Sequence, residues 1–178
     1  MAHEPNLDSL LALLQDVYPG ARCRAINAIG IMAGQRGMLA LKDIVCNDRV
    51  PQCRRAALHW LQERADQTTY NAALQCLLED DDPFLRMHAA WSARQRGRAD
   101  ATTVDLLIQA LRRSRDMETE IALPMLLSAL GSVGDRRAFE PIAAYLRSER
   151  GHQRAVAAQA LGELGDPRAV DLLEGLLQ

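Results

Sequence analysis

Four histidines and four cysteines are the imidazoles and thiols of this 178-residue chain, and neither set is spaced for catalysis or metal binding. His59, His88 and His152 are followed by Trp, Ala and Gln, and the one His-Glu dipeptide, His3-Glu4, stands at the N-terminus. Zinc asks for four ligands, usually as closely spaced pairs. Cys46 and Cys53 bracket an inter-helix turn with no second pair beside them, Cys23 and Cys76 stand apart, and no CxxC occurs. The thiols are therefore read as small helix-packing residues with no pairing pattern, which fits a reducing cytoplasm. Lys42, the single lysine, follows Leu41 rather than a glycine loop, and GxGxxG and GxSxG are missing. No catalytic residue, no metal and no cofactor is expected, and the chain is read as a non-enzyme.

The remaining chemistry is cationic. Arg94, Arg96 and Arg98 form one cluster and Arg112, Arg113 and Arg115 another, against a net charge of −2. Duplex binding needs many phosphate contacts, and a net acidic chain supplies no global field for them. Both clusters are read as helix C-terminal cations that complement the macrodipole. Arg112, Arg113 and Arg115 also flank an insertion, which keeps them as candidates for binding at an edge loop.

The elements that must position these residues are helices. Ala (28) and Leu (27) outnumber aromatics, at 4%, so heavily that an all-α chain is expected. No run approaches 18 uninterrupted apolar residues, so no membrane span is expected, and with neither a cationic n-region nor an apolar h-region at Met1-Ala-His-Glu-Pro-Asn, secretion is not expected. Arg22, Arg54 and Arg86 recur every 32 residues, and Asp16, Asp48 and Asp80 precede each by six. Arg154 opens the fullest copy, and Leu123 stands at the ladder position 31 residues before it. Between the arginine helices lie segments with i, i+3, i+4 apolar spacing, such as Leu39 to Val45 and Val104 to Leu111. Pro51, Pro83 and Pro167 are placed to open helices. The reading is a right-handed α-solenoid of about five and a half helix-turn-helix repeats, approximately 6–36, 37–67, 68–100, 101–135 and 136–166, with a closing helix over 167–178.

The string Arg-x-x-Ala-Ala-x-Ala-Leu-Gly-x-Leu-Gly-Asp-Pro-Arg-Ala-Val, from Arg154 onward, resembles the HEAT-like repeats named after phycobilisome lyases. The resemblance implies that Asp16, Asp48, Asp80, Arg22, Arg54, Arg86 and Arg154 tie neighbouring repeats together. Iron hydroxylases of this kind carry His-Glu at repeated helix starts, which His3-Glu4 alone does not reproduce. Related DNA-alkylation glycosylases use a basic concave face, which the net charge argues against.

One face is unlike the rest. Five residues after the ladder position stand Asn27, His59, Trp91, Ser128 and Gln159, and one residue after it Cys23, Arg55, Met87, Pro124 and Ala155. The two sets are i and i+4 on one helix face and are mostly polar or large, so they are expected to line the concave surface. Arg55, His59, Met87 and Trp91, with Asn27 and Ser128 beside them, are the candidate partner-binding residues. Trp60 stands where other copies carry Ala or Ser and is expected to fill space between repeats. The functional expectation is a cytoplasmic, non-catalytic adaptor that holds a peptide or helix of another protein in this groove. The resemblance implies an alternative, a bilin (tetrapyrrole) lyase or lyase subunit in which Arg55 and Arg86 would face propionates. Nucleic-acid binding is the second alternative.

Overall fold

The computed structural model describes residues 6–32, 34–97, 99–114 and 121–175, which contain eleven α-helices and no strand. They are α1 (Leu7–Leu13), α2 (Pro19–Met32), α3 (Gln35–Asn47), α4 (Pro51–Arg64), α5 (Gln67–Leu78), α6 (Pro83–Arg96), α7 (Ala101–Arg113), α8 (Leu123–Val133), α9 (Phe139–Ala143), α10 (Gly151–Leu164) and α11 (Arg168–Gly175). The chain forms two compact units, residues 1–85 and 86–178. In the first, α3 packs on α1 and α5, and α2 packs on α4; in the second, α8 packs on α7 and α10.

Local chemistry sets the helix ends. Asp66 and Asp100 cap α5 and α7 by accepting the amide N–H groups of Thr69 and Thr103 at 2.9 and 2.8 Å, satisfying donors the helix leaves open. Gly134 and Gly165 close α8 and α10 at φ 73° and 69°, a left-handed conformation that a side chain disfavours. The segment 136–147 is broken: 3-10 turns at Arg136–Ala138 and Ala144–Arg147 flank the short α9. Pro141, inside α9, has no N–H to donate. The Tyr145 hydroxyl nevertheless reaches back to donate to the Leu111 carbonyl at 3.0 Å, which satisfies its buried polar end.

The apolar core is almost entirely Leu, Ile and Ala, with Ile26, Ile29, Leu41, Leu74 and Tyr70 of the first unit essentially closed to solvent. Two glycines set how closely helices approach. A Cβ on Gly30 of α2 would lie inside the Trp60 indole of α4. One on Gly131 of α8 would press on the Ala160 backbone of α10, so there the two helices meet main chain to main chain. The two glycines occupy the same repeat position, eight residues after Arg22 and after Leu123.

The first unit is tied by buried charge. The Arg22 guanidinium donates Nε to Asp48 Oδ2 at 2.7 Å and Nη2 to Oδ1 at 2.9 Å. Its Nη1 donates to the carbonyl oxygens of Asp16 and Val17 at 2.8 and 3.2 Å. The side chains are only 6% and 3% exposed. Arg54 repeats the pattern, donating Nη1 to the Asp48 carbonyl at 2.7 Å and Nη2 to Asp80 Oδ1 at 2.9 Å, while its buried Nε has no partner. Each arginine thus takes the backbone six residues behind it and the carboxylate 26 residues ahead, in the following repeat. The same aspartates accept the amides of Tyr18, Val50 and Asp82 two residues on, building the turn before each proline. Arg154 keeps the backbone half, donating to Ser148 O at 2.8 Å and Glu149 O at 3.0 Å.

The second unit adds ion pairs after its glycine turns. Arg137 binds Asp135 and Asp105, each at 2.8 Å. Arg168 binds Asp166 at 2.9 Å and Glu140 at 3.4 Å, with its guanidinium 4.0 Å from the Phe139 ring centre. These pairs are partly exposed, so their contribution is small beside that of Arg22 and Asp48.

Burial alone would raise the Asp48 pKa, but the hydrogen bonds from Arg22 and the Val50 amide outweigh it and hold the group below its ordinary value of 3.8. Arg168 holds Asp166 at about 2. A carboxylate with a depressed folded-state pKa stabilises the fold above its unfolded pKa and loses that contribution as pH falls through the folded value. Stability measured by urea denaturation should therefore decline as pH drops from the ordinary value of 3.8 toward about 2. Asp48→Asn should be about 3–5 kcal/mol less stable near neutrality, because it leaves Arg22 buried without its charge partner. Its profile below pH 4 should be correspondingly flatter; an Asp48→Asn curve parallel to wild type would show that the pair is not the acid-sensitive element.

Candidate functional site

The residues read as one face sit on α2 and α4 in the first unit and on α6, α8 and α10 in the second. The buried stripes of these helices, Ala25, Ile26 and Ile29 on α2 and Ala57, Leu58 and Leu61 on α4, turn the intervening positions outward. Asn27, Arg55 and His59 are exposed and Cys23 is half-buried. In the second unit Trp91 is 40% exposed, while Met87 and Ser128 are half-buried. The His88 ring meets Trp91 edge-on, with centroids 6.5 Å apart. His59 and Trp91 fall in different units.

Trp60 has a separate role. Its indole fills the space over Gly30 and donates Nε1 to Asn27 Oδ1 at 3.0 Å. His59 packs edge-on to it at 5.6 Å, and the Arg64 guanidinium lies 5.7 Å from its ring centre. Asn27 is thus held by the neighbouring helix, and its carbonyl oxygen is already engaged.

The arginine clusters end their helices. Arg94 and Arg96 lie in the last turn of α6, and Arg112 and Arg113 in that of α7. Arg94 also reaches Glu163 of α10 at 3.7 Å. Arg98, Arg115 and the His3-Glu4 dipeptide lie outside the described residues. Arg86 is half-buried on α6.

The cysteines correct the sequence reading, which found no pairing among them. Cys46 of α3 and Cys76 of α5 form a disulfide, and Cys23 Sγ of α2 lies 3.1 Å from Cys53 Sγ of α4. Each pair is 30 residues apart, about one repeat, which sets both members on like helices of successive repeats. Burial and the hydrogen bond to Cys23 push the Cys53 thiol up to about 12, so it is protonated at neutral pH.

A cavity of about 970 Å³ lies beside α9 and α11, lined by Phe139, Tyr145, Arg147, Gln153, Arg168 and Asp171. Its Arg168 is committed to Asp166 and Glu140. Among the described residues no group of three or more His, Cys, Asp or Glu could hold a metal ion, and no helix is long and apolar enough to cross a membrane. Arg55 and His59 place a guanidinium and an imidazole on the surface of the first unit, and Trp91 places an indole on that of the second.

The model of the family described as HEAT repeats matches residues 38–127 and 104–178. A phycocyanobilin lyase subunit alpha from Picosynechococcus sp. strain PCC 7002 is 30% identical over 118 residues, 65% of this chain and 44% of that protein. The protein of the same description from Synechococcus elongatus strain PCC 7942 is 32% identical over 117 residues, 64% of this chain and 43% of that protein. The chain therefore spans less than half the length of these curated relatives. A chain in the structure of the complex of CpcE and CpcF of phycocyanin lyase from Nostoc sp. PCC7120 superposes with TM-score 0.65 at 22% identity, covering 95% of this chain and 69% of that one. That likeness concerns the fold. The relatives overturn the reading of a non-catalytic adaptor and of a chain with no part in an enzyme: the proteins it resembles are named as lyase subunits.

The two tryptophans should separate by experiment. Trp60→Ala empties the space between α2 and α4 and should cost about 2–4 kcal/mol in chemical denaturation. Trp91→Ala, at a position 40% exposed, should cost less than about 1 kcal/mol with unchanged helical circular dichroism. Equal losses would place Trp91 in the core.

Proposed function

The chain belongs to the HEAT-repeat family, and on that premise we propose that it serves as a subunit of a bilin lyase, acting together with a second protein subunit. The observation that carries this reading is the 30% and 32% identity to two lyase alpha subunits over about two thirds of the chain. The fold shared with a chain of the CpcE and CpcF complex supports the protein partner.

The outward residues fit the chemistry of such a substrate. An open-chain tetrapyrrole presents two propionates and an extended π system. Arg55 and His59, one turn apart on α4, offer charge and a ring nitrogen to a propionate. In the second unit, considered by itself, Trp91 and Met87 on α6 offer apolar and aromatic surface. Attachment or removal makes or breaks a carbon–sulfur bond between the bilin and a thiol of an acceptor protein. The reacting groups then belong to the bilin and the acceptor. This chain binds and orients them, and rigid stacked helices lower the ordering cost.

The test titrates the purified chain, alone and co-purified with a candidate partner subunit, with phycocyanobilin, following visible absorbance and induced circular dichroism. A saturable spectral change is expected, and Arg55→Ala combined with His59→Ala should weaken it by about tenfold or more at preserved helicity. No spectral change in either setting would overturn the reading.

A further inference from the structure

The thiols of Cys23 and Cys53 are left unused by the fold and by the proposed function. Their sulfurs are 3.1 Å apart, on α2 and α4 of adjacent repeats. A disulfide brings two sulfurs to about 2.05 Å, so about 1 Å of approach separates this pair from a bond. The chain already bridges the equivalent span one helix layer away. Cys46 and Cys76, also 30 residues apart, are joined between α3 and α5 with Cα atoms 5.3 Å apart. A metal does not account for the spacing. Thiolates sharing a zinc ion at bonds of about 2.3 Å stand near 4 Å apart, and they need further ligands. No such ligand group exists among the described residues.

The two sulfurs differ in access. Cys23 is half-buried, while Cys53 is closed to solvent, with its Sγ 3.7 Å from the Pro19 carbonyl oxygen. An oxidant in solution can reach the first and not the second, which sets the order of events. We propose that Cys23 and Cys53 form a redox modification site, a dithiol that a small disulfide such as oxidised glutathione closes into a second covalent link between adjacent repeats. The Cys23 thiolate attacks one sulfur of the oxidant, forming a mixed disulfide and releasing one glutathione thiolate. The Cys53 sulfur then attacks the Cys23 sulfur, its proton passing to the departing glutathione. Two electrons move from the protein dithiol to the oxidant, and two glutathione thiols leave.

The consequence is local to the first unit. With α3 already joined to α5, a bond between α2 and α4 fixes the helices that carry Asn27, Arg55 and His59. This inference does not rest on the lyase reading, since its readout is covalent.

The experiment incubates the folded full-length chain with oxidised glutathione and follows thiol titre, intact mass and peptide mapping without reduction. The Cys46→Ser/Cys76→Ser variant is run in parallel, because its only thiols are those of Cys23 and Cys53. Both thiols should disappear together, the mass should fall by two hydrogens, and mapping should give one peptide pair joined through Cys23 and Cys53. The oxidised form should melt several degrees higher. Cys53→Ser should instead stop at a stable glutathione adduct on Cys23. Cys23→Ser should leave Cys53 unmodified in the folded chain. A lasting glutathione adduct on wild-type Cys23, two unreacted thiols, or modification of Cys53 in the Cys23→Ser protein would each overturn the proposal. If the double serine variant does not fold, the wild-type peptide map decides the same question.

Discussion

The guanidinium of Arg22 ties three segments of the first unit together. A buried cation is tolerated only when nearly every donor is matched, and here four contacts do so: both Asp48 oxygens and the carbonyls of Asp16 and Val17. Those atoms belong to the stretch after α1 and to the turn before α4, while the arginine itself sits on α2. Sliding any one of the three helices uncovers a charge in a low-dielectric setting, so their register is held tightly. Asp48 has a further task, because its Oδ1 also accepts the Val50 amide and its carbonyl accepts Arg54. One residue therefore closes its own turn, answers the repeat before it and anchors the arginine of its own repeat.

That rigidity bears on what the outward face can do. Arg55 and His59 are presented by a helix whose start is pinned by Asp48 and whose flank is pinned by Trp60 to Asn27. A face held in this way binds a rigid or extended ligand without first ordering itself. On the lyase-subunit reading, a chain whose described residues hold no metal-binding cluster would contribute through position. The reactive carbon and the sulfur come from the substrates, and the protein supplies position.

Much of the architecture was legible because its signals are local. Apolar spacing at 39–45 and 104–111 marks α3 and α7, prolines mark helix starts, and the 32-residue steps of Asp and Arg mark the repeat. The pairing across repeats was not legible. A step of 32 says that rungs recur, whereas the bond from Arg22 to Asp48 spans 26 residues and depends on how two loops meet. The cysteines were hidden for the same reason: a spacing of 30 matches no familiar motif and acquires meaning once like helices lie side by side. Trp60 stood out in the sequence as an oversized residue at a small-residue position, but its counterpart Gly30 carried no signal. The lyase relationship was legible only through resemblance, since the adaptor reading followed from the missing ligand sets and catalysis can proceed without them.

The contrast between Gly30 and Gly131 limits how this chain can be rearranged. At one repeat position the first unit inserts an indole between helices, while the second brings two backbones together. The copies are similar in sequence but are cut to different gauges, so they are not interchangeable parts. Moving the Ala160 copy into the place of the Trp60 copy would leave a gap, and the reverse exchange would force two main chains apart. Recombination between copies, which a repetitive gene invites, is thereby restrained by volume rather than by charge or by any residue on the outward face.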